Sequence, residues 1–307
     1  MFSFILNSLG PKPADMRQII KAVSYIEMRL MSFRLPASFL LMNVFAFGQL
    51  PKLVVDLIAA EKLEQMLRDF PLKNAERQHR AKELFELVNC PKIVFVPLGK
   101  KDVPANVVCI LPGENQRAIL VGAHFDKTRF GEGKIDNASG VVILSALVRS
   151  LQNSPRRHTF IFSAFAEEEA GLRGSATMVK KGLDGMSGKE FVAALSAMVN
   201  IDSVGAGVTA VALSSSDKVL ASIAESLAEK LNVGFRYVNV DQVGLSDGQS
   251  FQKQKVRTIE FHSLDSDSFP ILHTPKDNMT ALRGKEYLEA YRLLAFYLAQ
   301  LDVMLDQ

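Results

Sequence analysis

The chain has 307 residues, 48% hydrophobic and 22% charged, a globular balance that excludes a disordered or collagen-like polypeptide. Lys and Arg number 36 against 33 Asp and Glu, and a net charge of +3 gives no electrostatic footprint for nucleic acid. The two cysteines, Cys90 and Cys109, are too few for a disulfide scaffold and lack zinc-finger spacing.

The first feature in chain order is the charge-free run Leu35–Pro51. It is shorter than the roughly 20 apolar residues of a membrane span, and Pro36, Asn43 and Gly48 interrupt it, so no stable span is expected. Its pattern is that of a signal peptide. Arg29 and Arg34 form the positive start, Ala37–Phe47 the apolar stretch, and Ala46-Phe47-Gly48 a cleavage motif before Gln49. A signal peptide begins near the first residue, so this reading starts translation at Met28 or Met31. The product is then exported, to the periplasm or the exterior; otherwise it is cytoplasmic. The competing reading is a buried helical hairpin over Ile19–Val54. Residues 1–48 are thus read as an extension. No Gly/Ser/Pro linker splits residues 53–307, so 49–307 is read as one domain.

Leu53–Leu87 reads as mostly helical, with Leu57, Leu63 and Leu67, then Leu84 and Leu87, at helical spacings. Short apolar runs at Lys92–Val96, Asn106–Leu111 and Ala118–Ala123 read as strands, and Pro112–Asn115 as the turn of a hairpin between the last two. The pattern then alternates. Helices are expected over Gly140–Leu151 (capped by Asn137 or Ser139), Gly174–Lys181, from the cap Asp217 to Leu231, and Gly284–Leu305. Strands are expected over His158–Ala166, Ala197–Ile201, Val208–Leu213 and Thr258–Phe261. This alternation predicts an α/β fold: a mixed, mostly parallel central sheet with helices on both faces, in three layers.

In such sheets functional groups gather at the carboxyl ends of strands. One expected strand ends in His124-Phe125-Asp126, and Asp136-Asn137-Ala138-Ser139-Gly140 follows before a helix. The next ends in Glu167-Glu168-Glu169, the next in Asp202, and His273-Thr274-Pro275 precedes the last helix. Three consecutive glutamates normally mark a solvated face. At the end of an almost wholly apolar strand they need a cation or partner to offset desolvation. Imidazole and carboxylate groups converging on one rim are ligands suited to divalent zinc.

Together Val121–Asp126, Asp136–Gly140, Ala166–Ser175, Asn200–Asp202 and His273–Pro275 resemble the zinc-dependent aminopeptidases of the aminopeptidase Y and bacterial leucyl aminopeptidase type, in metallopeptidase clan MH. The resemblance spans about residues 80–305, in the family's order. It implies the zinc-exopeptidase fold, two Zn2+ ions and a peptide substrate cleaved at its amino terminus. By that resemblance His124 and Asp202 bind one zinc, Glu169 and His273 the other, and Asp136 bridges both. Counting back from Gly171 makes Glu168 the general base and Glu169 the ligand, leaving Glu167 without a role. Asp126 is the carboxylate that orients His124. A zinc pair about 3.5–4 Å apart lowers the pKa of a shared water, whose proton Glu168 takes and passes to the leaving amine.

Two positions depart from the family. Ser246-Asp247-Gly248 replaces Ser-Asp-His, which bears on the substrate pocket rather than on the five ligands. Ile135 stands where an acid usually precedes the bridging Asp136. His262 and His158 match no ligand position; they read as pocket lining and as a strand-start residue. Cys90 and Cys109 are buried thiols or, in an exported protein, a disulfide. Two other functions compete. One is a glutaminyl-cyclase-like acyltransferase, which uses one zinc and is echoed by Phe269-Pro270 and Asp277-Asn278. The other is a noncatalytic binding homologue, which is expected to have broken ligands.

Overall fold

The computed structural model describes residues 39–42, 53–99, 102–240 and 244–305. Apart from Phe39–Met42, the amino-terminal extension with its signal-peptide pattern and cleavage motif lies outside the described residues. Phe39–Met42 (β1) pairs antiparallel with Leu53–Asp56 (β2). The helix expected from Leu53 therefore begins later. Leu-Val-Val-Asp carries two adjacent β-branched residues, which favour extended backbone. Helices follow at Ala60–Arg68 (α1) and Asn74–Leu87 (α2).

The main sheet has eight strands. In chain order these are Ile93–Val96 (β3), Asn106–Leu111 (β4), Ala118–His124 (β5), Thr159–Phe165 (β6), Leu195–Ile201 (β7), Thr209–Val211 (β8), Phe235–Tyr237 (β9) and Thr258–His262 (β10). Their spatial order is β3-β4-β6-β5-β7-β10-β8-β9. The four central strands β6, β5, β7 and β10 are parallel, while β3, β4 and β8 pair antiparallel with their inner neighbours. The sheet is mixed, as expected, but not through the expected hairpin. β4 and β5 do not pair, because β6 lies between them. All seven residues of β5 are buried. A strand apolar on both faces belongs in a parallel centre with neighbours on either side. The turn at Pro112 serves the approach to β6 instead: Glu114 N donates to Arg156 O at 3.1 Å and Asn115 N to Arg157 O at 2.9 Å.

Alternation along the strands divides the core. Val107, Cys109 and Leu111 face one way, packing with α1, α2, Ser139–Leu151 (α3), Lys218–Leu231 (α6) and Gly284–Met304 (α8). Val108 and Ile110 face the other, with Arg173–Lys181 (α4), Gly188–Ala194 (α5) and Gly248–Gln252 (α7). This is a three-layer sandwich whose larger core runs from Val55 to Leu301. α5 went unread in the sequence although Ser187 and Glu190 form a capping box there. Asp217 caps α6 as expected, donated to by Val219 N and Leu220 N. His158, at the approach to β6, is buried with Nδ1 3.1 Å from Asp302 Oδ1 on α8. Cys90, beyond α2, forms a disulfide with Cys109 in β4. No helix among the described residues is long and apolar enough to cross a membrane.

Candidate metal centre

The parallel strands β5, β6, β7 and β10 end on one rim, and β5, between β6 and β7, marks the point where connections diverge to either side. His124 is the last residue of β5 and is 2% exposed. Its Nε2 lies 3.1 Å from Asp136 Oδ1 and 3.5 Å from Asp202 Oδ1. The other oxygen, Asp136 Oδ2, lies 3.0 Å from His273 Nε2, which is 3.3 Å from Glu169 Oε2. The five residues singled out in the sequence thus meet as two triads, His124–Asp136–Asp202 and Asp136–Glu169–His273, which share Asp136.

Each ligand-bearing loop is tied down locally. Asn137 Nδ2 donates to Ile201 O at 2.9 Å, and its Oδ1 accepts from Gly140 N at 3.0 Å and Ser203 N at 3.2 Å. One amide thereby starts α3 and joins the loop of Asp136 to that of Asp202. The turn after β6 is closed by Gly171 N and Leu172 N, each donating to Glu168 O at 2.8 Å. Gly174 has to be glycine: a Cβ there would overlap Ala166 O and Asn106 Oδ1. Glu167 is occupied outside the centre by an ion pair with Arg173 at 2.8 Å.

Asp126 meets His124 and also does more. His124 Nδ1 sits 3.1 Å from the Asp126 main-chain carbonyl and 3.7 Å from its carboxylate. The carboxylate also accepts from Glu168 N at 3.0 Å and Glu169 N at 3.1 Å. It holds the acidic turn, and its main chain holds the imidazole. Asp277 was missed in the sequence, where Asp277-Asn278 stood out only as an echo of the cyclase branch. Its Oδ1 accepts from Ile135 N at 2.7 Å and its Oδ2 from Asp136 N at 3.3 Å. Its own carbonyl accepts from Glu132 N at 2.8 Å, which fastens the His273 loop to the Asp136 loop. Burial pushes the Asp277 carboxyl up to about 6.

The centre concentrates negative charge. Burial opposes a charge on His124, yet Glu168, Asp202, Asp126 and Asp136 together hold its pKa well above the ordinary value. Hydrogen bonds to Asp136 and Glu169 push His273 up to about 10. Burial, with Asp247, Asp202 and Asp136 nearby, pushes Glu168 up to about 10. In the protein alone, imidazolium protons balance the carboxylates. Cations bound between the same atoms would displace those protons and draw the Glu168 carboxyl back down. Glu169 Oε1 is buried and accepts no hydrogen bond among the described residues. Two imidazole nitrogens and three carboxylates, one of them with this orphaned buried oxygen, make a donor set that fits zinc.

Beside the triads lies a cavity of about 280 Å³ walled by Leu172, Val240, Leu245, Leu264 and Leu272, with Glu168, Glu260 and His262 also lining it. His262 is confined to one tautomer: Nε2 lies 2.9 Å from Val238 O and Nδ1 accepts from Leu264 N at 3.0 Å. Burial pushes its pKa down to about 4.

Comparison with known proteins adds four findings. Residues 106–298 match the family model described as Peptidase family M28. Aminopeptidase YwaD of Bacillus subtilis is 29% identical over 180 residues, covering 56% of this chain and 38% of YwaD. A solved zinc aminopeptidase from Bacillus subtilis aligns with TM-score 0.57 at 24% identity, over 64% of this chain and 50% of that one. The glutaminyl cyclase of Porphyromonas gingivalis aligns with TM-score 0.65 at 16% identity, over 80% of this chain and 99% of that one. The chain thus spans half or less of the two aminopeptidases.

Proposed function

The chain belongs to peptidase family M28, and from that premise we propose that it is a zinc-dependent aminopeptidase that removes amino-terminal residues from peptides. The observation that carries this reading is the divided Asp136 carboxylate, one oxygen facing His124 and the other His273. His124 and Asp202 would hold one zinc ion, Glu169 and His273 a second, and Asp136 both. Two complete triads favour the peptidase over the one-zinc, cyclase-like reaction. All five ligands are intact, which favours an enzyme over a noncatalytic homologue.

Bound zinc supplies Lewis acidity that acidifies a water and polarises a peptide carbonyl. Glu168 lines the cavity at the triads, and its main-chain N–H is anchored there by donating to Asp126 Oδ1 at 3.0 Å. Its carboxylate takes the proton of the attacking water as the C–O bond forms, and delivers it to the amine nitrogen as the C–N bond breaks. The apolar cavity wall receives the first side chain of the substrate and keeps bulk water from it. An exported location fits this reading. The Cys90–Cys109 disulfide is the kind of bond that persists in oxidising compartments, and the signal-peptide pattern before Gln49 supplies a route.

The test combines metal analysis of the purified protein with a panel of amino-acid nitroanilides. Two zinc ions per chain and hydrolysis abolished by a chelator are expected. One ion with cyclisation of amino-terminal glutamine would mark the cyclase instead, and no metal uptake would refute both. Glu168→Gln should keep the metals and lose turnover by about 100- to 10,000-fold. Loss of metal in that variant would exchange the roles of Glu168 and Glu169.

A further inference from the structure

Arg77 lies on α2, outside the segment that the family model matches, and is fully buried. Its guanidinium is spent on main-chain carbonyls. Nε donates to Pro71 O at 2.9 Å, Nη1 to Phe125 O at 2.9 Å and Asp126 O at 3.3 Å, and Nη2 to Glu132 O at 3.1 Å and Gly133 O at 2.6 Å. Phe125 and Asp126 directly follow His124, while Glu132 and Gly133 lead into Asp136. One rigid planar fork therefore spans the loops that carry two of the three ligands of the first triad, His124 and Asp136.

Lys134 makes the reciprocal contact. Two residues before Asp136 and 3% exposed, it donates to Leu67 O at 3.1 Å, Arg68 O at 2.9 Å and Phe70 O at 2.7 Å, at the carboxyl end of α1, where a helix favours a cation. Asn74, the first residue of α2, exchanges two hydrogen bonds with Lys127: Nδ2 to Lys127 O at 2.8 Å, and Lys127 N to Asn74 Oδ1 at 3.0 Å. The Cys90–Cys109 disulfide secures the other end of α2 to the sheet.

A buried cation is costly, and although the carboxylates of Asp277, Asp136, Asp126 and Glu169 favour the Arg77 charge, burial outweighs them. What the guanidinium provides is geometry, five main-chain carbonyls held by one side chain. We propose that Arg77 is a positioning residue of the metal centre, fixing the spacing of the His124 and Asp136 loops, and that the α1–α2 pair is therefore a working part of that centre. The proposal rests on the zinc reading given above.

Arg77→Lys separates charge from geometry. It keeps the cation, but a single ammonium cannot reach both carbonyl pairs. Zinc affinity is read by competition with a chromogenic chelator, coordination geometry by the visible spectrum of the cobalt-substituted protein, and folding by circular dichroism. The expected result is a folded protein with zinc bound about 10- to 100-fold more weakly and a displaced cobalt band. A folded variant with wild-type zinc affinity and a superimposable cobalt spectrum overturns the proposal. Should Arg77→Lys fail to fold, hydrogen exchange of the wild type decides. Zinc should then slow exchange in α2 together with residues 125–133, and protection of the loop without α2 overturns the proposal. Wild-type protein that binds no zinc sinks the functional reading and this inference together. Zinc binding by the wild type with Arg77→Lys unchanged sinks this inference alone.

Discussion

Asp126→Asn tests whether the acidic turn is held from below. The native carboxylate accepts two main-chain N–H groups, from Glu168 at 3.0 Å and Glu169 at 3.1 Å. An asparagine keeps one acceptor oxygen and points an NH2 group at the second donor. A buried N–H left without an acceptor costs about 1–3 kcal/mol, so the turn carrying the general base and a ligand must shift to relieve it. If that cost falls on the transition state, kcat/KM on a leucine nitroanilide drops about 5- to 150-fold. The Asp126 main-chain carbonyl still meets His124 Nδ1 after the substitution, but the imidazole loses the carboxylate charge 3.7 Å away, so its pKa should fall. The assay pairs steady-state kinetics with the amide proton shifts of Glu168 and Glu169, which should both move once the carboxylate is gone. Activity within about threefold of wild type, with unmoved shifts, would refute the assignment.

Two further outcomes concern the scaffold. Cys90 and Cys109 are 19 residues apart, a loop whose closure stabilises the fold by about 3 kcal/mol in the chain-entropy account. Replacing both, Cys90→Ser with Cys109→Ala, should lower the melting temperature by about 6–12 °C; a melt unchanged by the replacement would contradict a stabilising bridge. His262 is held neutral, its pKa pushed down to about 4 by burial, against about 6.5 in an unfolded chain. Between those values the unfolded chain binds more protons, so this residue makes stability fall as pH drops from about 6.5 to 4. His262→Gln should flatten that part of the urea-midpoint profile, and parallel profiles for both proteins would count against it.

The chemistry was legible in the sequence for a physical reason. A parallel sheet delivers its strand ends to one rim, so His124, Glu168, Glu169 and Asp202 could be placed together from strand positions alone, and Asp136 and His273 through family resemblance. The supports were not legible. Arg77, Lys134 and Asp277 act on main-chain carbonyls and amides, which look alike in every residue and leave no pattern to match. Arg77 reaches carbonyls up to 56 residues away and Asp277 an amide 142 residues away. Asp126 was legible as a neighbour of His124, but not its hold on the Glu168 and Glu169 amides, 42 and 43 residues away. The absent hairpin shows the same limit on a larger scale. Pro112–Asn115 is a turn, but local turn chemistry does not say which strand the next one will join.

The departure at Gly248 has a structural counterpart. A Cβ on Gly248 would overlap Glu260 Oε1, so the buried carboxyl of Glu260 on β10 fills the space into which a residue at 248 would project. That oxygen has no hydrogen-bond partner among the described residues, and burial pushes the carboxyl up to about 8. Any side chain at 248 would therefore have to displace this acid. Gly248→Ala should cost about 1–3 kcal/mol by overpacking in the wild-type background. With Glu260→Ala already present the same substitution should cost half as much or less, the remainder coming from Thr258 Cγ2 at 2.8 Å. Urea denaturation of the two single variants and the double variant measures that coupling directly. An equal cost in both backgrounds would mean that Glu260 is not the obstacle.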